Sequence, residues 1–292
     1  MKLSNEQKTE IAQSLRKYCE RYPSQNKAAA SIKGLSPGTL SSILSGKWEL
    51  ISDNMWLNVQ SQMRGDAGWR LYPTAAHEAL RYFFGDAKEY ANVIWVTGPA
   101  GIGKSTAAAE FERMNRNVFL LTCSEDMHKS DFVQELAGRV GVRTTGLTVR
   151  QSLRAIINEL VKKERPLLIF DEGDKLTDSV LYYFVSLYNA LEDKCGMVFL
   201  STNYMQERMR RGLSYGKKGY DELDSRICRK FVPLDLVGSD EVRAICEING
   251  LSDKAAVRRV LSEADSCGND LRRVKRCVHK ELRMISDESS NS

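Results

Sequence analysis

Residues 98–105 read Gly-Pro-Ala-Gly-Ile-Gly-Lys-Ser. They fit the pattern G-x-x-x-x-G-K-[ST], whose glycines let successive backbone N–H groups converge on one phosphate. Lys104 has the reach to meet β- and γ-phosphates, and the Ser105 hydroxyl is a ligand for Mg²⁺. Gly98, Pro99, Ala100, Gly101, Ile102, Gly103, Lys104, Ser105 and Thr106 are therefore the candidate nucleotide ligands. A second stretch, Pro166-Leu167-Leu168-Ile169-Phe170-Asp171-Glu172, is an apolar run that ends in two carboxylates. At the carboxyl end of a buried strand, Asp171 would hold Mg²⁺ directly or through its waters, and Glu172 would polarise an attacking water. A third apolar run, Met197–Leu200, ends in Ser201-Thr202-Asn203. Asn203 is placed to contact a γ-phosphate or orient that water; a plain strand-end cap is the alternative.

The flanking elements have to put these groups together. Asn92–Thr97 reads as a buried strand and Thr106–Phe111 as an opening helix, the context a phosphate loop requires. Asn117–Cys123 reads as another strand, followed by helices near Lys129–Val140 and Val149–Lys163. Lys230–Leu236 reads as the last strand. Residues 73–236 thus alternate strand and helix, which predicts an α/β domain with a parallel sheet. The strand at 117–123 lies between the two motifs in sequence, so the motif-bearing strands are not sequence neighbours.

Residues 1–64 predict a small all-α unit. Ile11, Leu15 and Tyr18 recur at helical spacing in 5–22, and Pro23 stops that helix. Residues 25–34 follow as a short helix with an alanine face. Ser36-Pro37 then opens a second short helix carrying Leu40, Ile43 and Leu44. The pair resembles a repressor-type helix-turn-helix, in which Thr39, Ser41, Ser42 and Lys47 would face a major groove. A helical protein-interaction unit is the alternative. Residues 65–72 read as a linker.

Composition excludes more than it assigns. A net charge of +5 is compatible with nucleic acid without requiring it. The seven cysteines (19, 123, 195, 228, 246, 267 and 277) form no C-x-x-C pair, and the three histidines are far apart, so free thiols and no zinc site are expected. No apolar run approaches a membrane span and no signal-peptide core follows Met1, which together predict a cytoplasmic protein.

Taken in series, GPAGIGKS, LLIFDE and FLSTN, followed by Asp224-Ser225-Arg226 and a helical C-terminus, resemble the AAA+ ATPases. Within them, the N-terminal helix-turn-helix and the size resemble the transposition helper ATPases of the phage Mu B, IstB and TnsC types. The resemblance implies a three-layer P-loop domain at 73–236, a helical lid at 237–285 and a disordered tail at 286–292. It implies ATP and Mg²⁺ as cofactors, Arg226 (or Arg229) as a finger acting on a neighbouring subunit, and Arg272 (or Arg273) as a second sensor. It also implies double-stranded DNA, a transposase and further copies of the chain as partners.

Two segments offer contacts to a DNA backbone. Residues 205–219 read as a mobile, Gly-rich insertion with Arg208, Arg210, Arg211, Lys217 and Lys218. Arg139, Arg143 and Arg150 flank a stretch of small polar residues at 141–148. Neither block is strongly basic, so one copy would bind weakly and an assembly would gain by repeating the contact. The leading expectation is an ATP-dependent, largely sequence-nonspecific DNA-binding ATPase that assembles on target DNA and activates a transposase. A helicase loader and a helix-turn-helix regulator with an ATPase sensor domain are the alternatives.

Overall fold

A computed structural model describes residues 3–290 apart from Arg21, Pro23, Lys33, Leu50, residues 65–68 and residues 227–229. The expected helix stop at Pro23 and part of the expected linker, 65–68, lie outside the described residues. The chain divides into two compact units, Met1–Arg70 and Leu71–Ser292.

The first unit holds α1 (Asn5–Cys19), α2 (Gln25–Ala30), α3 (Pro37–Leu44) and α4 (Asp53–Arg64). Each of the first three starts where the sequence supplies a hydroxyl cap. Ser4 forms a reciprocal capping box with Gln7, Ser24 caps α2, and Ser36 caps α3 with Pro37 in its first turn. Ile11, Leu15, Ala28, Ala29, Leu40, Ile43, Trp56 and Val59 make one buried core. The Trp48 indole packs edge-on to Trp56 with centroids 5.3 Å apart and donates to the Ile43 carbonyl at 2.9 Å. Helix α2 is shorter than the expected 25–34. Its C-cap Ser31 turns its hydroxyl back onto the Ala28 carbonyl at 2.7 Å, a local bond that competes with helix continuation.

The second unit is built on a five-stranded, all-parallel sheet: β1 (Val93–Thr97), β2 (Val118–Thr122), β3 (Leu167–Asp171), β4 (Gly196–Ser201) and β5 (Phe231–Pro233). Their spatial order is β2-β3-β4-β1-β5, so β4 separates the two motif strands β1 and β3. Every residue of β3 and β4 is buried, the signature of strands covered on both faces. In register across three strands, Trp95, Phe199 and Phe170 stack, with centroids 4.4 and 4.8 Å apart. The Trp95 indole N–H donates to the Ser201 hydroxyl at 2.7 Å, so the aromatic row ends in a satisfied polar pair rather than an orphaned donor. Gly196 has a steric reason: a β-carbon there would overlap the Ala87 carbonyl of α5 (Ala75–Tyr90).

The remaining helices of this sheet domain are α6 (Lys104–Met114), α7 (Lys129–Val140), α8 (Val149–Val161), α9 (Asp178–Leu191), α10 (Tyr204–Ser214) and α11 (Tyr220–Arg226). The last two overturn the mobile insertion expected at 205–219. Met205 and Met209 are buried on the core side of α10, and the turn after it is clamped on α9. A β-carbon at Gly219 would overlap the Tyr182 ring, and one at Gly212 the Tyr220 ring. Strand β5 is shorter than expected because Pro233 brings no N–H to the ladder, and Asp235 and Leu236 are exposed.

The chain finishes in α12 (Ser239–Ile248), α13 (Lys254–Asp265) and α14 (Leu271–Ser290), with Val242, Ile245, Cys246, Val257, Val260, Val274 and Val278 buried. Arg259 binds both oxygens of the Glu281 carboxylate, Oε1 at 3.2 Å and Oε2 at 2.6 Å, tying α13 to α14. Helix α14 continues to Ser290, so most of the tail expected to be disordered from residue 286 is helical; Asn291 and Ser292 lie outside the described residues. No helix among the described residues is long and apolar enough to cross a membrane.

Candidate functional site

The phosphate-loop pattern occupies the turn from β1 into α6, between the carboxyl ends of β4 and β5. That is where a parallel sheet leaves a crevice for ligands. Gly101 and Gly103 have φ of 80° and 102°, a region that side chains with a β-carbon rarely enter. The loop thereby turns its backbone toward one centre and delivers Lys104 into the first turn of α6. The Lys104 ammonium donates to the carbonyls of Gly98 at 2.6 Å and Pro99 at 2.8 Å. Burial lowers its pKa, against the fields of Asp171 and Asp174, and the nearby Arg272 lowers it further. A polyanion in the loop would relieve that cost, because it stabilises the charged form of the ammonium.

Asp171, the last residue of β3, is only 3 % exposed. Burial raises its pKa, while hydrogen bonds from the Ser105 hydroxyl and the Glu172 N–H, and the charge of Lys104, hold the carboxylate form. Ser105 and Asp171, the two residues singled out for Mg²⁺, both offer the hard oxygen donors that this ion takes. Among the described residues no cluster of three or more His, Cys, Asp or Glu could hold a metal, so any metal here would rely on these oxygens together with phosphate oxygens and water.

Glu172 follows in a left-handed conformation, with φ 57°. A non-glycine residue there is uncommon and marks backbone held by its surroundings. The short 3₁₀ turn after it, Gly173–Lys175, pairs Lys175 with the Glu172 carboxylate, and Asp174 accepts from the Thr202 hydroxyl. The end of β4 is thus fastened to the turn behind Glu172. Asn203 lies just past that end, exposed, with no side-chain bond to the first turn of α10. Its neighbour Gln206, which the sequence did not single out, donates to Thr97 at 3.3 Å at the end of β1.

Arg272 is exposed in the first turn of α14, close enough to Lys104 to lower its pKa. Arg226 is elsewhere. It closes α11, bonds Glu222 at 2.9 Å and Asn189 at 3.0 Å, lies over the Tyr188 ring, and its side chain is 20 % exposed. Arg229, its expected competitor, lies outside the described residues.

The basic residues expected to meet DNA fall into two sets. Arg208 is a correction: its side chain is 15 % exposed and pairs with Asp178 at the start of α9. It also donates to the carbonyls of Asp174 at 3.1 Å and Leu176 at 2.7 Å. Such an arginine fastens α10 to the turn behind Glu172 and would have to give up these bonds to engage a phosphate. Lys217 pairs with the same Asp178, and Arg211 lies over the Tyr204 ring. Arg210 and Lys218 are exposed and, among the described residues, in no ion pair. The same holds for Arg139, Arg143, Arg150 and Arg154 around the turn between α7 and α8. In the first unit, Ser41 and Lys47 are exposed, whereas Thr39 and Ser42 are half-buried and bonded within α3, to the Ser36 hydroxyl at 2.8 Å and the Gly38 carbonyl at 3.0 Å. Both hydroxyls are thus engaged at their own helix, with acceptor capacity left over.

A family model described as an AAA domain matches residues 87–209, from the end of α5 through most of α10. The chain is 26 % identical over 178 residues to the Mu-like prophage FluMu DNA transposition protein B of Haemophilus influenzae. That match covers 61 % of this chain and 60 % of the relative's length. Among solved structures, the crystal structure of NtrX from Brucella abortus in complex with ATP matches with a TM-score of 0.48 and 14 % identity. It covers 85 % of this chain and 59 % of the NtrX chain. Residues 87–209 match the AAA domain model, on an all-parallel α/β sheet, and the chain resembles a Mu-like DNA transposition protein B.

Proposed function

We propose that this protein is an ATPase that assembles on double-stranded DNA in its ATP-bound state and presents that DNA to a transposase. The observation that carries the nucleotide half is the phosphate-loop turn, in which Gly101 and Gly103 at positive φ lead into Lys104 at the start of α6. ATP with Mg²⁺ would supply the phosphoryl group and the charge neutralisation for its hydrolysis. Residues 98–106 would hold the phosphates, and Ser105 and Asp171 the metal ion. Glu172 would take the proton of the attacking water, with Asn203 and Arg272 facing the γ-phosphate. Arg226 would act on a neighbouring subunit only after leaving Glu222 and Asn189, so its arrival would report assembly.

The DNA half is supported by similarity to a DNA transposition protein and by the unpaired arginines. Arg143 and Arg150, with Arg139 and Arg154 beside them, suit phosphate contacts that carry no base identity. Arg210 and Lys218 are a weaker second set, and Ser41 and Lys47 are the exposed candidates in the first unit. ATP at a subunit interface would act as the assembly switch, with hydrolysis releasing the DNA.

Electron microscopy of the protein with random-sequence duplex tests this reading, with a slowly hydrolysed ATP analogue and without nucleotide. Filaments or rings that need both nucleotide and duplex are expected. Nucleotide-bound particles that ignore random duplex would contradict the reading and favour a regulator or a loader.

A further inference from the structure

Asp270 sits between the lid and the phosphate loop, and three contacts meet at it. Its carboxylate accepts from the N–H groups of Arg272 at 2.8 Å and Arg273 at 3.4 Å, which caps the first turn of α14. The same carboxylate fills the space beside Gly101, where any β-carbon would overlap it. The next residue, Leu271, donates its N–H to the Gly101 carbonyl at 3.0 Å and lays its side chain against Gly103. The approach is fixed from behind as well. Asn269 holds a left-handed backbone with φ 58° and donates its side-chain amide to the Val237 carbonyl at 2.7 Å.

One carboxylate thus does two things at once. It stops the first turn of α14 from fraying, and it packs that turn on the central glycine of the loop. Arg272 is the second residue of that turn, so its place relative to Lys104 depends on both. We propose that Asp270 is a positioning residue that sets Arg272 against the terminal phosphate of a bound nucleoside triphosphate, so that the site tells ATP from ADP. This rests on the reading of residues 98–105 as a nucleotide site. The contact also gives Gly101 a reason beyond its positive φ, because only a residue without a β-carbon leaves room for the cap.

Competition with a fluorescent nucleotide, giving affinities for ATP and ADP separately, tests the role in the full-length chain. Asp270→Ala is expected to lower the ATP:ADP affinity ratio about fivefold, the size of change that loss of one N-cap supplies. Asp270→Asn and Asp270→Ser, which cap nearly as well, are expected to restore it. A purely structural role would instead lower both affinities together. An unchanged ratio in Asp270→Ala, or a failure of both capping variants to restore it, would overturn the proposal. Wild-type protein that binds neither nucleotide would overturn the phosphate-loop reading itself, whereas wild-type binding with an unmoved ratio removes only the role of Asp270.

Discussion

The turn between α7 and α8 carries four arginines and the hairpin of α10 and α11 six basic side chains, and most of the six are used differently. In the hairpin, Arg208 and Lys217 converge on Asp178, which also accepts from the Tyr220 hydroxyl at 2.8 Å. Arg226 is spent on Glu222 and Asn189. In the α7–α8 turn, four exposed arginines have no ion pair among the described residues. A charge that already has a partner must give it up to bind a phosphate, whereas an unpartnered one loses only water and counterions. Positive charge in a sequence therefore counts as a binding surface only after its internal partners are subtracted.

That contrast breaks first at Arg208. Arg208→Ala would take one of three donors from Asp178 and the guanidinium from the carbonyls of Asp174 and Leu176, at a cost of about 3 kcal/mol for the lost charge-assisted bonds. A fall in Tm of about 6–12 °C is expected for a unit of this size. A Tm within a degree or two of wild type would return Arg208 to the surface and dissolve the distinction between the two regions.

A smaller effect is expected in acid. Burial pushes the Asp178 pKa up, but hydrogen bonds from Lys217, Arg208 and Tyr220 outweigh it and hold the carboxyl at about 2. Its unfolded value is about 3.9. A depressed acid stabilises the fold above its unfolded pKa, and that contribution is lost as pH falls through the folded value. Stability should therefore drop between about pH 4 and pH 2, and Asp178→Asn should flatten that part of the curve. An identical acid limb in the two proteins would mean that the hairpin is not held through this carboxylate.

The least effect is expected at Lys217, whose pair with Asp178 is exposed. Lys217→Ala should move Tm by no more than about 2 °C, since such pairs contribute little. A larger fall would move Lys217 into the group of anchors with Arg208.

How far the sequence carried this picture varies along the chain for physical reasons. The phosphate loop and the β3 acids were legible because glycines at positive φ, a lysine, and an apolar run ending in carboxylates have few other uses together. The strand at 117–123 was legible too, but it lies at the sheet edge as β2, and it is β4, later in the chain than both, that separates β1 from β3. The hairpin at 204–226 was misread because its glycines suggested mobility. Gly212 and Gly219 instead make room for the rings of Tyr220 and Tyr182, and only the packing reveals that. Asp270 was passed over for a similar reason. An aspartate before a helix is an ordinary cap in sequence, and its second contact, with Gly101, lies 169 positions away in the chain and belongs to the tertiary fold. The local bonds of Thr39 and Ser42 were not legible either, since whether a hydroxyl faces outward or back onto its own helix is a matter of rotamer.

The most direct test of the account is the affinity of random-sequence duplex DNA for the wild-type protein and for Arg143→Ala/Arg150→Ala, with and without ATP. Wild-type binding should require ATP. The double variant should bind about tenfold more weakly at moderate salt, with the salt slope reduced by about 2 and Tm unchanged. Duplex binding that ignores ATP, or that survives intact in the double variant, would contradict it.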